Sequence, residues 1–341
     1  MNHVNKSVRK DAKMKAAVYT KYGLTDVLEL KDLEKPVPGD NEALVSVHAV
    51  SINDWDWGLL RGEPFMNRMI SGFLKPKIRI LGSDIAGKIE AVGKYIKQFQ
   101  VGDEVFGDLS GCGWGGFAEY VCAPESALAL KPKRITFEAA AAIPQAGLLA
   151  LQGLRDKMQI QPGQKVLING AGGGAGSFAV QIAKSFGAEV TGVDSTEKLD
   201  LMHAIGADHT IDYTKEDFTK TSDRYDMILD FAAHRSIFNS RRALCPRGTY
   251  VMVGGSTPRI FQLMLLGPLI SMMGSKKMSI LRHKPNKDLN FMIALIAAGK
   301  VVPIIDKIYR LSEVPEALKY FGEGHAKGKV VITLEYNNPT M

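Results

Sequence analysis

The amino-acid sequence predicts an α/β protein in two parts, an irregular β-rich part followed by a doubly wound parallel sheet. Three observations carry this expectation. Residues 165–184, KVLINGAGGGAGSFAVQIAK, set a short branched apolar run before a small-residue turn, and then apolar residues at helical spacing. After them, strand-like and helix-like patterns alternate as far as residue 253. Before residue 135, many short apolar runs are punctuated by glycine, the pattern of an irregular barrel-like β domain.

Within the 165–184 stretch, Val166, Leu167 and Ile168 form a buried strand, and Ala179, Val180, Ile182, Ala183 and Phe186 recur at helical spacing. Between them lie Gly170, Ala171, Gly172, Gly173, Gly174, Ala175 and Gly176. Ala171 takes the first position of a glycine fingerprint, with Gly173 and Gly176 at the other two. Strand, small-residue turn and helix together point to dinucleotide binding. The small residues let backbone amides approach a pyrophosphate, and the helix N-terminus offers unpaired N–H groups with partial positive charge. A flexible linker would not be clamped between two well-patterned elements.

The rest of the chain reads in order. Residues 14–19 and 43–52 are strands, with a turn at Pro36-Val37-Pro38-Gly39-Asp40 between them. Residues 51–57 read as a loop rich in polar and aromatic side chains, and 78–92, 101–107 and 115–121 carry further short strands. Thr136 caps a helix from Phe137 that Pro144 ends, and a second helix runs over 147–158. Strands at 189–193, 209–211, 226–231 and 249–253 alternate with helices at 198–205 and 235–244. A helix at 288–298 stops at Gly299, and strands at 304–311 and 329–334 flank a helix at 314–321 and rejoin the first part.

Composition narrows the class. A chain of 341 residues with 45% hydrophobic and 23% charged residues suits a globular enzyme with two cores. The net charge of +7 is scattered rather than striped, which argues against nucleic acid as a partner. Cys112, Cys122 and Cys245 show no CxxC spacing, which fits a reducing compartment such as the cytoplasm. Residues 1–13 are polar and basic without an apolar core and read as a disordered tail. The most apolar segment, 261–273, is too short and too interrupted by Gly and Pro to span a membrane. It reads as a pocket lid or a subunit contact.

Several motifs together give the chain a resemblance. They are Asn53 with Asp56, Leu81-Gly82-Ser83-Asp84-Ile85-Ala86-Gly87, Gly102-Asp103-Glu104-Val105, Gly116-Phe117-Ala118-Glu119-Tyr120, and the glycine stretch. Gly206-Ala207-Asp208 with Asp212-Tyr213, and Gly328-Lys329-Val330-Val331, complete the set. From residue 14 to about 334 the sequence resembles the medium-chain dehydrogenases/reductases of the zinc-independent, quinone-oxidoreductase-like branch. The resemblance implies a GroES-like catalytic domain over 14–134, a Rossmann cofactor domain over 135–299 and a C-terminal return to the catalytic domain over 300–341. It also implies a cleft between the domains and a homodimer.

The resemblance bears on metal, cofactor and reaction. Where the zinc alcohol dehydrogenases carry their first cysteine ligand, this chain has Asn53, and where they carry His-Glu it has Ser83-Asp84. No cysteine lies near 143–147, so no metal is expected. Asp194, at the end of the second strand, favours NAD, because an acid there bonds the ribose 2′-OH and repels a 2′-phosphate. Ser195, Lys198 and Tyr213 match the positions that contact the 2′-phosphate in NADP-dependent relatives. The expectation is NADPH, with NADH as the alternative. Gly254, Gly255 and Ser256 are expected beside the nicotinamide, Asn53 is the candidate catalytic donor, and Trp55, Trp57 and Asp84 are candidates for the substrate pocket. Without a Lewis acid, quinones and α,β-unsaturated carbonyls are the expected hydride acceptors. The alternatives are alcohol dehydrogenation, enoyl-thioester reduction, or a cofactor-binding protein of low turnover.

Overall fold

A computed structural model of the chain describes residues 12–334. The N-terminal segment 1–13, read above as a tail, lies outside these residues save for its last two. The chain forms two compact units. Unit 1 is Met1–Gln145, Pro285–Leu289 and Ile305–Met341; unit 2 is Ala146–Lys284 and Asn290–Ile304. The sequence reading placed these breaks at 134/135 and 299/300. The helix Phe137–Ala141 belongs to unit 1, where it packs on the strands Glu42–Ser51 and Asp84–Val92.

Unit 2 holds six parallel strands. In spatial order they are His209–Asp212, Glu189–Asp194, Lys165–Asn169, Tyr225–Asp230, Leu244–Met252 and Lys277–Ile280. Numbered along the chain, that order is 3-2-1-4-5-6, the doubly wound arrangement whose ligand crevice opens where the strand order reverses, at the C-terminal end of strand 1. Val166, Leu167 and Ile168 are fully buried, as an apolar run in a central strand covered on both faces must be.

Unit 1 is built on a mixed sheet of seven strands. Its long strand Glu42–Ser51 pairs antiparallel with Asp84–Val92, Tyr120–Pro124 and Lys329–Thr333. The register puts Ser51 opposite Asp84 and Asp84 opposite Asp108, while Ile52 N–H donates to Val330 O (2.9 Å). One end of this sheet therefore gathers Asp108, Asp84, Ser51 and the start of the Lys329 strand. A core that includes Tyr19, Phe117, Leu59, Leu60 and Ile85 packs the unit.

The structure corrects the sequence reading at several elements. Residues 51–57 are not a loop: a helix, Asp54–Arg61, starts directly after Asn53. The helix Met66–Ser71 and the strands Glu29–Glu34 and Lys277–Ile280 were not anticipated. Pro144 does end the helix Phe137–Ala141, but it also opens the next one, Pro144–Leu151, since proline's missing N–H costs nothing in a first turn. That helix continues as a π-helix over Gln152–Met158. The apolar segment 261–273 lies in a continuous helix, Thr257–Met273, that runs through Pro268. Among the described residues, no helix is long and apolar enough to cross a membrane.

Candidate functional site

Unit 2 supplies a candidate phosphate cradle. Strand Lys165–Asn169 ends in Gly170, whose N–H and that of Ala171 both donate to Val193 O of the neighbouring strand (2.9 and 3.1 Å). The turn closes through Gly173 N–H to Gly170 O (3.1 Å), and the helix Gly174–Ser185 begins. No side chain caps this helix at Gly173. The N–H groups of Gly174, Ala175 and Gly176 are then first-turn donors with no helical acceptor. Close packing favours glycine at two positions, against backbone at Gly176 and against the Lys198 side chain at Gly172. A Cβ on Gly176 would lie 2.0 Å from Gly170 O, and one on Gly172 would lie 2.6 Å from Lys198 Cβ. Ala171, by contrast, is fully buried, with its methyl turned toward Gly192. These residues fit a dinucleotide: free amides at a helix N-terminus, set in a turn that admits close backbone approach.

At the end of the second strand, Asp194 does not turn outward. Its carboxylate is buried, with Oδ2 accepting from Gly172 N–H (2.9 Å) and Oδ1 from Ser195 N–H (2.9 Å). Lys198, expected as a free phosphate donor, is buried too, and its Nζ lies 3.5 Å from Asp194 Oδ1. Tyr213 is exposed, and its N–H donates to Asp194 O (3.1 Å), so Ser195, Lys198 and Tyr213 do gather around Asp194. Gly254, Gly255 and Ser256 follow the strand Leu244–Met252. Ala233 N–H donates to Gly254 O (3.1 Å) and Ser256 N–H to Ala233 O (3.0 Å), which ties this turn to the end of the adjacent strand. Asp230 braces these strand ends from below, accepting from Asn169 Nδ2 (2.7 Å) and the Tyr250 hydroxyl (2.9 Å). The sequence reading did not assign it a role.

Unit 1 supplies a buried polar cluster around Asn53. Asn53 stands just ahead of the helix Asp54–Arg61, and Asp56 holds the start of that helix in place. Asp56 Oδ2 accepts from Asn53 N–H (2.9 Å) and Oδ1 from Gly82 N–H (2.8 Å). Gly82 has φ +87°, which favours glycine there. With the Asn53 side chain facing the Asp56 backbone, the two residues form a capping box, and the Asn53 carboxamide has further partners. Its Oδ1 accepts from Lys329 Nζ (2.5 Å), and its Nδ2 lies 3.4 Å from Ser83 Oγ. Lys329 Nζ also donates to Ile52 O (3.0 Å).

Asp84 is fully buried beneath this group. Its Oδ2 accepts from Gln145 N–H (3.0 Å) and the Ser51 hydroxyl (3.4 Å), while Oδ1 has no partner. Burial, and then the neighbouring Asp108 carboxylate, push the Asp84 carboxyl well above the usual range, against Lys329, the Asn53 side chain and the Gln145 N–H. Burial pushes Asp56 up to about 7, against its two backbone hydrogen bonds. For Lys329 burial lowers the pKa, opposed by Asp84, Asp56, Asp54 and Asp108. Trp57 packs so closely over Gly322 that a Cβ there would lie 2.5 Å from its ring, and Trp55 stands partly exposed on the helix. The zinc position offers an amide whose oxygen faces an ammonium, a hydroxyl and one buried acid. That donor set does not fit a zinc ion.

The Asp56 shift gives a test. Its folded pKa of about 7 exceeds the usual 3.8, so its contribution to stability is complete below 3.8 and is lost as pH rises through about 7. The unfolding free energy of wild type relative to Asp56→Asn is expected to shrink over that interval, by up to about 4 kcal/mol. Denaturant titrations at stepped pH read it, and a difference that grows with pH would show that the ionised carboxylate is the favoured form.

Lys329 and Asp108 are the functional candidates that sequence reading missed. Gly328-Lys329-Val330-Val331 was recognised as a motif, but nothing local tied its lysine to Asn53.

Comparisons with known proteins agree with this geometry. Residues 39–133 match the alcohol dehydrogenase GroES-like domain, and residues 205–332 match the family described as zinc-binding dehydrogenase. The chain is 33% identical over 337 residues to 2-methylene-furan-3-one reductase of Solanum lycopersicum, covering 96% of this chain and 80% of that protein. It is 32% identical over 330 residues to the chloroplastic NADPH-dependent alkenal/one oxidoreductase of Arabidopsis thaliana, covering 94% and 79%. The solved structure of the quinone oxidoreductase from Coxiella burnetii superposes with a TM-score of 0.86 at 29% identity, over 95% of this chain and 100% of that one. The chain belongs to the medium-chain dehydrogenases/reductases, in their quinone-oxidoreductase-like branch, and is an NAD(P)H-dependent oxidoreductase.

Proposed function

We propose that the protein reduces quinones and α,β-unsaturated carbonyl compounds with NADPH. The observation that carries this is the buried Asn53 carboxamide, whose Oδ1 accepts from Lys329 and whose Nδ2 bears N–H donors. The bound nicotinamide supplies a hydride. An enone accepts it at the β-carbon, and the displaced electron pair moves to the carbonyl oxygen. Asn53 Nδ2–H donates to that oxygen as it becomes an enolate. A proton from solvent at the α-carbon completes the saturated ketone. A quinone takes hydride and proton to become the hydroquinone by the same charge movement. An unactivated alcohol or aldehyde has no such delocalised oxyanion and needs a stronger electrophile than an amide.

For the cofactor, NADPH is favoured by Ser195 and Tyr213 beside Lys198, and by the state of Asp194. Both oxygens of that carboxylate already accept backbone N–H groups, and the Lys198 ammonium lies against its charge. Initial rates with NADPH and NADH over a panel of quinones, enones and saturated aldehydes test both parts. Turnover confined to quinones and enones is expected, with the higher kcat/KM for NADPH. A preference for NADH of about tenfold, about 1.4 kcal/mol, would mean that Asp194 governs the choice.

The three free cysteines suit a reducing compartment such as the cytoplasm. The helix Thr257–Met273 exposes Phe261, Met264, Leu265, Leu269, Met272 and Met273, which supports a subunit contact and a homodimer.

A further inference from the structure

Lys329 stands at the first position of its strand and is almost fully buried. The groups that face it come from three other elements: Asp54 and Asp56 from the helix after Asn53, Asp84 from one strand and Asp108 from the next. Burial disfavours the ammonium, and the field of these acids opposes that effect. Two acceptors receive its hydrogens, Ile52 O and Asn53 Oδ1. The second contact has a directional consequence. An ammonium has three donors and no lone pair, so the carboxamide atom that faces it must be the oxygen. The amide is planar, and its NH2 group is thereby turned the other way, toward Ser83. Ser83 Oγ, at 3.4 Å, accepts from it weakly, and the buried Asp84 carboxyl also faces the Asn53 side chain.

We propose that Lys329 is a positioning residue that locks the Asn53 carboxamide with Oδ1 inward, so that Nδ2–H is presented to the acceptor's carbonyl or quinone oxygen. The inference rests on the reading of Asn53 as the donor to that oxygen. The physical gain has two parts. A freely turning amide would offer its own oxygen to a developing oxyanion as readily as its N–H, and the ammonium removes that orientation. Its charge also draws electron density along the amide toward Oδ1, which makes Nδ2–H a better donor. A fixed cation thus acts on the reacting oxygen through an amide, without touching it.

The test is a double-mutant cycle joined to a measurement that needs no turnover. Lys329→Met is expected to lower kcat about ten- to a hundredfold with the affinity for NADPH unchanged. In an Asn53→Ala background the same substitution is expected to change kcat by no more than about twofold, because the group it orients is gone. Equal losses in both backgrounds, or an unchanged kcat in Lys329→Met, would overturn the proposal. In wild type, kcat is expected to fall at alkaline pH as the ammonium loses its proton and can accept as well as donate; Asn53→Ala is expected to lack this limb. Should Lys329→Met fail to fold, Asn53→Asp decides: it keeps a partner for Lys329 but has no N–H, so it must lose as much activity as Asn53→Ala. The side-chain 15NH2 resonance of Asn53 is the independent readout, expected to shift or broaden in Lys329→Met. A wild-type protein inert toward every quinone and enone would bring down the proposed function, and that resonance would still report whether Lys329 fixes the amide.

Discussion

Replacing Asn53 with alanine is expected to lower kcat for quinone or enone reduction by about 10²- to 10³-fold, or about 2.7–4 kcal/mol of transition-state stabilisation. The reason is that charge develops on the acceptor oxygen during hydride transfer, and the donor poised for it would be removed from a setting where water is a poor substitute. At the helix start the substitution removes the half of the capping box made by the Asn53 side chain and keeps the other, in which the Asp56 carboxylate receives the residue 53 backbone N–H. Lys329 also loses one acceptor and keeps Ile52 O, so melting temperatures are recorded beside the rates. NADPH affinity is expected to hold, since the dinucleotide cradle belongs to unit 2. Single-turnover rates and cofactor titrations separate the two quantities, and an Asn53→Ala enzyme with wild-type kcat would remove Asn53 from the chemistry.

The second large effect is expected at the phosphate turn. In Gly176→Ala the new methyl would sit 2.0 Å from Gly170 O and 2.7 Å from Ala171 Cα. Both are backbone atoms of the turn, so no side-chain rotation relieves the clash. Unit 2 is expected to lose about 1–3 kcal/mol of stability. NADPH affinity is expected to fall about ten- to a hundredfold as the helix N-terminal donors shift, at 1.4 kcal/mol for each factor of about ten. Gly173→Ala is the contrast. Its Cβ would meet nothing nearer than Gly170 O at 3.3 Å, so the free protein is expected to keep its melting temperature while a methyl on the ligand side still weakens binding. Fluorescence titration and thermal melts of the pair check this. Equal behaviour of the two variants would mean that backbone packing does not dictate the turn.

Much of the cofactor half was legible because its signals are local. An apolar run, a turn of small residues and a helical stripe within twenty-odd residues announce the cradle, and the alternation that follows announces the parallel sheet. Where sequence reading went astray in unit 1, one local signal had been passed over. Asn53 and Asp56 are three residues apart, the spacing at which an acid reaches back to the N–H ahead of a helix. The stretch was taken for a loop on its polar and aromatic composition. The packing of Trp57 over Gly322 follows from its place on this helix.

Other features had no local signal. Lys329 and Asn53 are 276 residues apart and meet only because the strand Lys329–Thr333 pairs with Glu42–Ser51. Asp194 and Lys198 were weighed as competing ligands for the cofactor, whereas the fold pairs them with each other and with the phosphate turn.

The sequence by itself determined that strand, small-residue turn and helix follow one another over 165–185, that the sheet of unit 2 is parallel, and that neither cysteine nor histidine stands at Asn53 and Ser83-Asp84. Those properties depend on residue type and short-range spacing. Tertiary structure alone decided which way the Asn53 amide faces, which charges neutralise each other, and which acids are driven above their usual range. Hydrogen-bond direction and desolvation depend on neighbours that strand register brings together from distant parts of the chain.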